Sequence, residues 1–345
     1  MTESAHQKRS SRSVLPGGHR GFSFVIWTVK EKVDGEFPYI KLYYYSFNKE
    51  QGFPGDLDFY VTYKISGDYE LSITMEAKPK TKATPVNLLQ HSYWNLGGHS
   101  SGTILSNTVQ IFASYLIQVD NQSIPTGTLS SVSDSPFDFR KPNIIKSRIK
   151  HVKNGYNTNY VVDGHGMRKV AVVEDGRSGR AMELWANQPG VQFYTAYYVN
   201  DVEGKGGVIY KRYAGLCVAS QGFPDAVNHP QFPSQIVKPG EGYLLAVTLK
   251  GTLDGVTNPS AEPNKASHQY RAHTCFAPLN MGGGSRRDSN PRWRGIKEDY
   301  SASHLLISPT RSLKRGGRAS ISLSFIPKSR AEGDVSMGQY NFESE

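Results

Sequence analysis

The sequence predicts an all-β fold, a sandwich or barrel of many short strands. Three observations carry that expectation. Short runs rich in Val, Ile, Tyr, Phe and Thr recur through the middle of the chain, which suits a pleated, half-buried surface. Each run is flanked by Gly, Pro, Asn or Asp, and the 34 Gly and 19 Pro supply many turns. No stretch shows a convincing helical stripe longer than about three turns.

In chain order, Phe59 to Ile65 is β-rich and bounded by Ser66-Gly67-Asp68, and Tyr69 to Ala77 then alternates polar and apolar residues. This predicts a hairpin with a short Gly/Asp turn. Further strands are predicted over Lys169 to Glu174, Ala181 to Ala186, Val191 to Val199 and Gly242 to Leu249. Strand signals fill residues 21–252, expected to form one sandwich. Residues 1–20 are polar, basic and Ser-rich and are expected to form a flexible N-terminus. Residues 253–345 carry Gly282-Gly283-Gly284 and much Ser, Arg and Asn, and are expected to be a largely disordered low-complexity tail. Ser320 to Phe325, with Ile and Leu alternating with Ser, is a marginal strand that could pair with a sheet edge. Apolar residues make up only 37% of the chain, so part of its length is expected to lie outside a core.

The net charge is +10, but the Lys and Arg are scattered and cluster only near the two ends. No nucleic-acid partner is expected, because backbone recognition needs a continuous basic face. Cys217 and Cys275 are the only cysteines, so no disulfide framework is inferred and a reducing, cytoplasmic setting is expected. The N-terminus has no apolar signal core, and the best apolar run, Tyr243 to Leu249, is too short for a bilayer, so no membrane partner is expected. Metal-ligand spacing and a phosphate loop are both missing, so no metal and no cofactor are expected. The oligomeric state is not legible.

Several segments together resemble the aldose 1-epimerase (galactose mutarotase) family. Gln51-Gly52-Phe53-Pro54-Gly55-Asp56-Leu57 is similar to that family's GFPG turn, and Asn87-Leu88-Leu89-Gln90-His91-Ser92-Tyr93-Trp94-Asn95-Leu96 to its NxxxHxYFNL signature. Ile124-Pro125-Thr126-Gly127, Phe137 to Pro142, Gln188 to Thr195, Phe223-Pro224-Asp225-Ala226 and Lys238-Pro239-Gly240-Glu241-Gly242-Tyr243 follow in order. The resemblance spans about Leu15 to Thr252. It implies a large antiparallel β-sandwich and a small aldose substrate such as galactose or glucose, whose α and β anomers are interconverted.

That reaction removes a proton from the C1 hydroxyl while the ring oxygen gains one, so it calls for a base and an acid on opposite sides of one sugar. The resemblance assigns His91 as the acid and Glu241 as the base, with partial burial of Glu241 sharpening it. It also places Asn157 and Gln188 against sugar hydroxyls, and Asp225 either there or holding its own loop. Tyr93 and Trp94 suit a sugar-stacking wall or a core equally; Trp185 suits a core. His99, His151, His165 and His229 read as loop histidines.

The chain departs from the pattern at four places. The family's N-terminal strands, with an Asn-Arg pair that contacts the sugar, have no counterpart here. Pro16 stands where the family's LHGG carries histidine, and Asn157-Thr158-Asn159 where it has Asp-His-Asn. Ala219-Ser220-Gln221 stands where it often has Glu-Thr-Gln. The resemblance therefore implies one of two functions: a mutarotating enzyme, or a catalytically impaired carbohydrate-binding relative.

Overall fold

The computed structural model describes residues 21–22 and 25–252, with backbone alone for Leu253 and for four strand segments of the tail. The readings made above for residues 1–20, and for most of 253–345, lie outside the described residues.

Two antiparallel sheets dominate. The first is built from β1 (Thr28–Val33), β2 (Tyr39–Ser46), β3 (Leu57–Gly67), β4 (Glu70–Pro79) and β5 (Thr108–Ile111). The second begins with β6 (Ala113–Val119) and β7 (Pro125–Ser131). The chain returns to the first sheet with β8 (Asn143–Ile144), then enters the second with β9 (Asn157–Val162). A hairpin in the first sheet follows, β10 (Arg168–Asp175) and β11 (Arg180–Ala186). Next come β12 (Gly190–Tyr194) and β13 (Cys217–Gln221) in the second sheet, and β14 (Tyr243–Leu253) in the first. The nine-stranded sheet has the order β1-β2-β3-β4-β14-β11-β10-β5-β8, and the five-stranded sheet β13-β12-β9-β6-β7.

Alternation sets which faces meet. Along β3, Leu57, Phe59, Val61 and Tyr63 are buried, while the intervening Asp58, Tyr60 and Thr62 face outward. Tyr63, Ile73 and Met75 of the nine-stranded sheet share one core with Tyr160, Val191, Phe193 and Val218 of the five-stranded sheet. The apolar faces of the two sheets thus close on each other as a β-sandwich. Two buried phenols tie a loop to this core: Tyr156 donates to the Pro136 carbonyl at 2.8 Å and Tyr160 to that of Phe137 at 3.1 Å. The predicted hairpin is present as β3–β4, with Leu57 opposite Pro79 and Ile65 opposite Leu71. Gly55, in the turn before β3, holds φ +80°, and a Cβ there would stand 2.9 Å from the Lys82 carbonyl oxygen.

Two expectations are corrected. The run Val191 to Val199 stops being a strand at Tyr194, because Ala196 adopts φ 51° and turns the chain. In the tail, Ala319–Ile326 is a strand, but it pairs with His304–Arg311 and not with an edge of the sandwich. The alternating Ser320 to Phe325 pattern is satisfied by a local hairpin instead.

Candidate active site

One face of the five-stranded sheet is apolar and belongs to the core. The other is polar at one end, and register fixes which residues share it. Asn157 lies opposite Tyr194 and Asn159 opposite Gln192. Tyr194 lies opposite Cys217, Gln192 opposite Ala219 and Gly190 opposite Gln221. Directly opposed residues project to one side, and residues two apart share it. Cys217, Ala219 and Gln221 therefore line this face with Tyr194, Gln192, Asn157 and Asn159. Toward β6 it is closed by Ile117 and Val161, which pack with Phe223, Ala226 and Phe232 of the loop after β13.

His91 joins this face from the segment that crosses the end of β13. Its Nδ1 is 3.5 Å from the Cys217 Sγ. Its ring centroid is 5.1 Å from that of Tyr93 and 6.2 Å from that of Tyr194. The next residues are pinned by a β-bridge between Trp94 and Leu216. Desolvation among these rings lowers the imidazole pKa, so His91 is held neutral at neutral pH. Burial likewise pushes the Tyr194 phenol up to about 12, and its oxygen accepts from the Tyr198 N–H at 3.0 Å.

The sequence-predicted residues divide. Asn157 belongs with His91's face: it is exposed, and its Oδ1 accepts from Gln192 Nε2 at 2.7 Å. Glu241 does not join them. It is exposed rather than partly buried, and its carboxylate accepts from the Lys238 N–H at 3.0 Å, while its own N–H donates to the Lys238 carbonyl. A tight turn so closed points the carboxylate back at its own backbone. Gln188 sits in the link from β11 to β12, where its Nε2 donates to the Leu244 carbonyl at 2.8 Å. Asp225, at φ 58°, faces Asn228 Nδ2 at 2.5 Å and His229 Nε2 at 3.4 Å, which favours the loop-holding role.

Trp185 is neither core nor ligand wall. It lies half-buried on the outer face of the nine-stranded sheet, donating to Glu183 Oε2 at 2.8 Å between the ammonium groups of Lys169 and Lys250. Trp94 packs against the main core, and Tyr93 against Tyr194. His99 meets Tyr210 and His229 meets the Pro125 carbonyl.

Gln192, Tyr194, Cys217 and Asn159 were not singled out from the sequence. Their signal is a polar residue at alternate positions of a strand whose other positions are apolar, as in Val191-Gln192-Phe193. What the face lacks is a carboxylate: none of the described strand positions on it is Asp or Glu. Position 219, opposite Gln192 and two residues from His91's partner Cys217, is alanine.

Residues 6–250 match the family model for aldose 1-epimerase. The chain is 38% identical over 233 residues to galactose mutarotase of Mus musculus, a match covering 66% of each chain, and 38% identical over 232 residues to that of Homo sapiens, again 66% of each. It is 31% identical to aldose 1-epimerase of Escherichia coli over 239 residues, 66% of this chain and 67% of that one. The match thus spans about two thirds of the length of these relatives. In fold it is similar to a GalM/aldose epimerase homologue from C. elegans, with TM-score 0.65, 24% identity, and 72% of this chain and 74% of that one covered. It is also similar to galactose 1-epimerase from Lactobacillus acidophilus, with TM-score 0.60, 20% identity, and 72% and 76% covered. The chain belongs to the aldose 1-epimerase family.

Proposed function

We propose that this chain binds free aldoses, galactose or glucose, on the polar face beside His91, and interconverts their anomers slowly. The observation that carries this is the placement of His91 with Asn157 and Gln192 on one face, with alanine at the position opposite Gln192. The 38% identity to galactose mutarotases supports the substrate class.

In the proposed reaction the C1 hydroxyl loses its proton as the C1–ring oxygen bond breaks and the ring oxygen is protonated. The C1–C2 bond rotates and the ring closes on the other face. A neutral imidazole serves one of these transfers at a time, with Nε2 as the nitrogen we assign to the sugar oxygen; water supplies the other. A positioned acid or base contributes about 10²–10⁴-fold to such steps, so a one-group site is slower than a two-group site by roughly that factor. Gln192 and Asn157, already hydrogen-bonded to each other, offer their remaining amide groups to sugar hydroxyls. A reducing cytoplasmic setting suits the buried thiol of Cys217 beside His91.

Polarimetry of fresh α-D-galactose and α-D-glucose tests this. Wild type is expected to show a small acceleration over buffer that His91→Asn abolishes and Glu241→Gln leaves intact. Loss of the rate in Glu241→Gln would return the base role to Glu241.

A further inference from the structure

We propose that Asn159 forms the floor of the sugar site, its amide taking one ligand hydroxyl as donor and acceptor together. The proposal rests on the reading of this face as the aldose site. Asn159 is only 5% exposed, and neither its Oδ1 nor its Nδ2 has a hydrogen-bond partner among the described residues. Buried amides are nearly always paired, because an unpaired one forfeits its hydration with nothing in return.

Its location separates it from the other unpartnered groups. Asn159 stands directly opposite Gln192 and two residues from Asn157, on the same face as Cys217, where His91 sits. Ser220 projects to the opposite side, into the core, and Asn107 uses its Nδ2 on the Glu174 carbonyl. Asn159 alone among them has both side-chain polar atoms unpartnered.

The neighbouring strand makes room for the amide itself: a Cβ on Gly190 would lie 2.8 Å from Asn159 Oδ1, so only glycine there admits this side chain. Chemistry then narrows the occupant. A primary amide presents an acceptor and a donor side by side. A hydroxyl donates to the first and accepts from the second. A carboxylate or phosphate satisfies only the N–H and is repelled by the carbonyl oxygen. Ile117 and Phe223 pack on each other beside the amide and shield it from bulk water. The hydroxyl bound here is the most deeply held one, so Asn159 selects among sugars by the configuration at that carbon.

The test measures Kd for D-galactose, D-glucose and the monodeoxygalactoses by calorimetry, with melting temperatures, for wild type, Asn159→Leu and Asn159→Ser. Both variants are expected to raise the galactose Kd by about tenfold or more while the melting temperature holds or rises, since each removes an unpaired amide. One deoxy analogue should bind wild type weakly yet lose no further affinity in Asn159→Leu, which identifies the hydroxyl. If wild type binds galactose and both variants bind it equally well, the assignment is overturned. Weaker binding accompanied by a lower melting temperature in both variants also overturns it, because the amide then serves the fold through an internal water. If wild type itself binds no sugar, the reading of the face as an aldose site fails and this proposal falls with it, a result distinct from the other two.

Discussion

Replacing Gly190 by alanine probes the closest approach in the five-stranded sheet. The new methyl would meet Asn159 Oδ1 at 2.8 Å, the Gln221 carbonyl oxygen at 3.1 Å and the Phe223 ring at 3.3 Å. The Asn159 side chain can rotate away, but the Gln221 oxygen belongs to the β12–β13 ladder and Phe223 to a buried cluster. Overpacking of this kind costs about 1–3 kcal/mol. For a domain of this size each kcal/mol moves the melting temperature by about 2–4 °C, so a fall of roughly 2–12 °C is expected. Gly176→Ala is the control: its Cβ meets nothing within 4 Å and its φ is unexceptional. There the substitution is expected to be neutral or to stabilise by about 0.4–1 kcal/mol, through the unfolded chain. Circular dichroism melts and urea titrations on both proteins supply the comparison. Equal stability of the two variants would refute the close packing of Gly190 against β13, and with it the geometry that positions Asn159.

Three further outcomes follow. His91 takes a proton less readily in the folded chain than in the unfolded one, so stability is full above the ordinary histidine pKa of about 6.5 and falls as pH drops from there through its lower folded value. His91→Gln should flatten the fall of urea midpoints below about pH 7, and an unchanged slope would show that His91 does not carry the effect. Asp225→Ala removes the contacts to Asn228 and His229 and should cost about 0.5–1.5 kcal/mol while galactose affinity holds; a selective loss of affinity would make Asp225 a ligand contact instead. Gln192→Leu should weaken galactose binding with little change in melting temperature, and calorimetry showing unaltered affinity would remove Gln192 from the site.

Much of the fold was legible because alternation is a local signal. Tyr69 to Ala77 shows its buried face in the sequence, and β4 follows it closely. Sheet order was not legible. β14 inserts between β4 and β11, bringing Leu249 beside Leu71 and Leu184, and no local pattern announces pairings across so much chain. β1 was also missed: all six of its residues are exposed, so it carries no alternation to read. His91 was singled out through its motif, and the structure seats it beside Cys217 and Tyr194. Glu241 was placed beside it on motif alone, but the turn from Lys238 keeps the carboxylate on its own backbone. Gln192 was missed because its meaning comes from register: only the pairing of β9, β12 and β13 puts it beside Asn157 and opposite Ala219. The substitution at 219 was visible in the sequence, but its place opposite Gln192 was not.

The most direct test of the account is polarimetry of Ala219→Glu beside wild type, each with a melting curve that verifies the fold. The substitution sets a carboxylate opposite Gln192 on the face that His91 shares, completing an acid–base pair. The account predicts acceleration of galactose mutarotation by about a hundredfold over wild type, lost again in Ala219→Glu/His91→Asn. Equal rates from folded wild type and folded Ala219→Glu would contradict it.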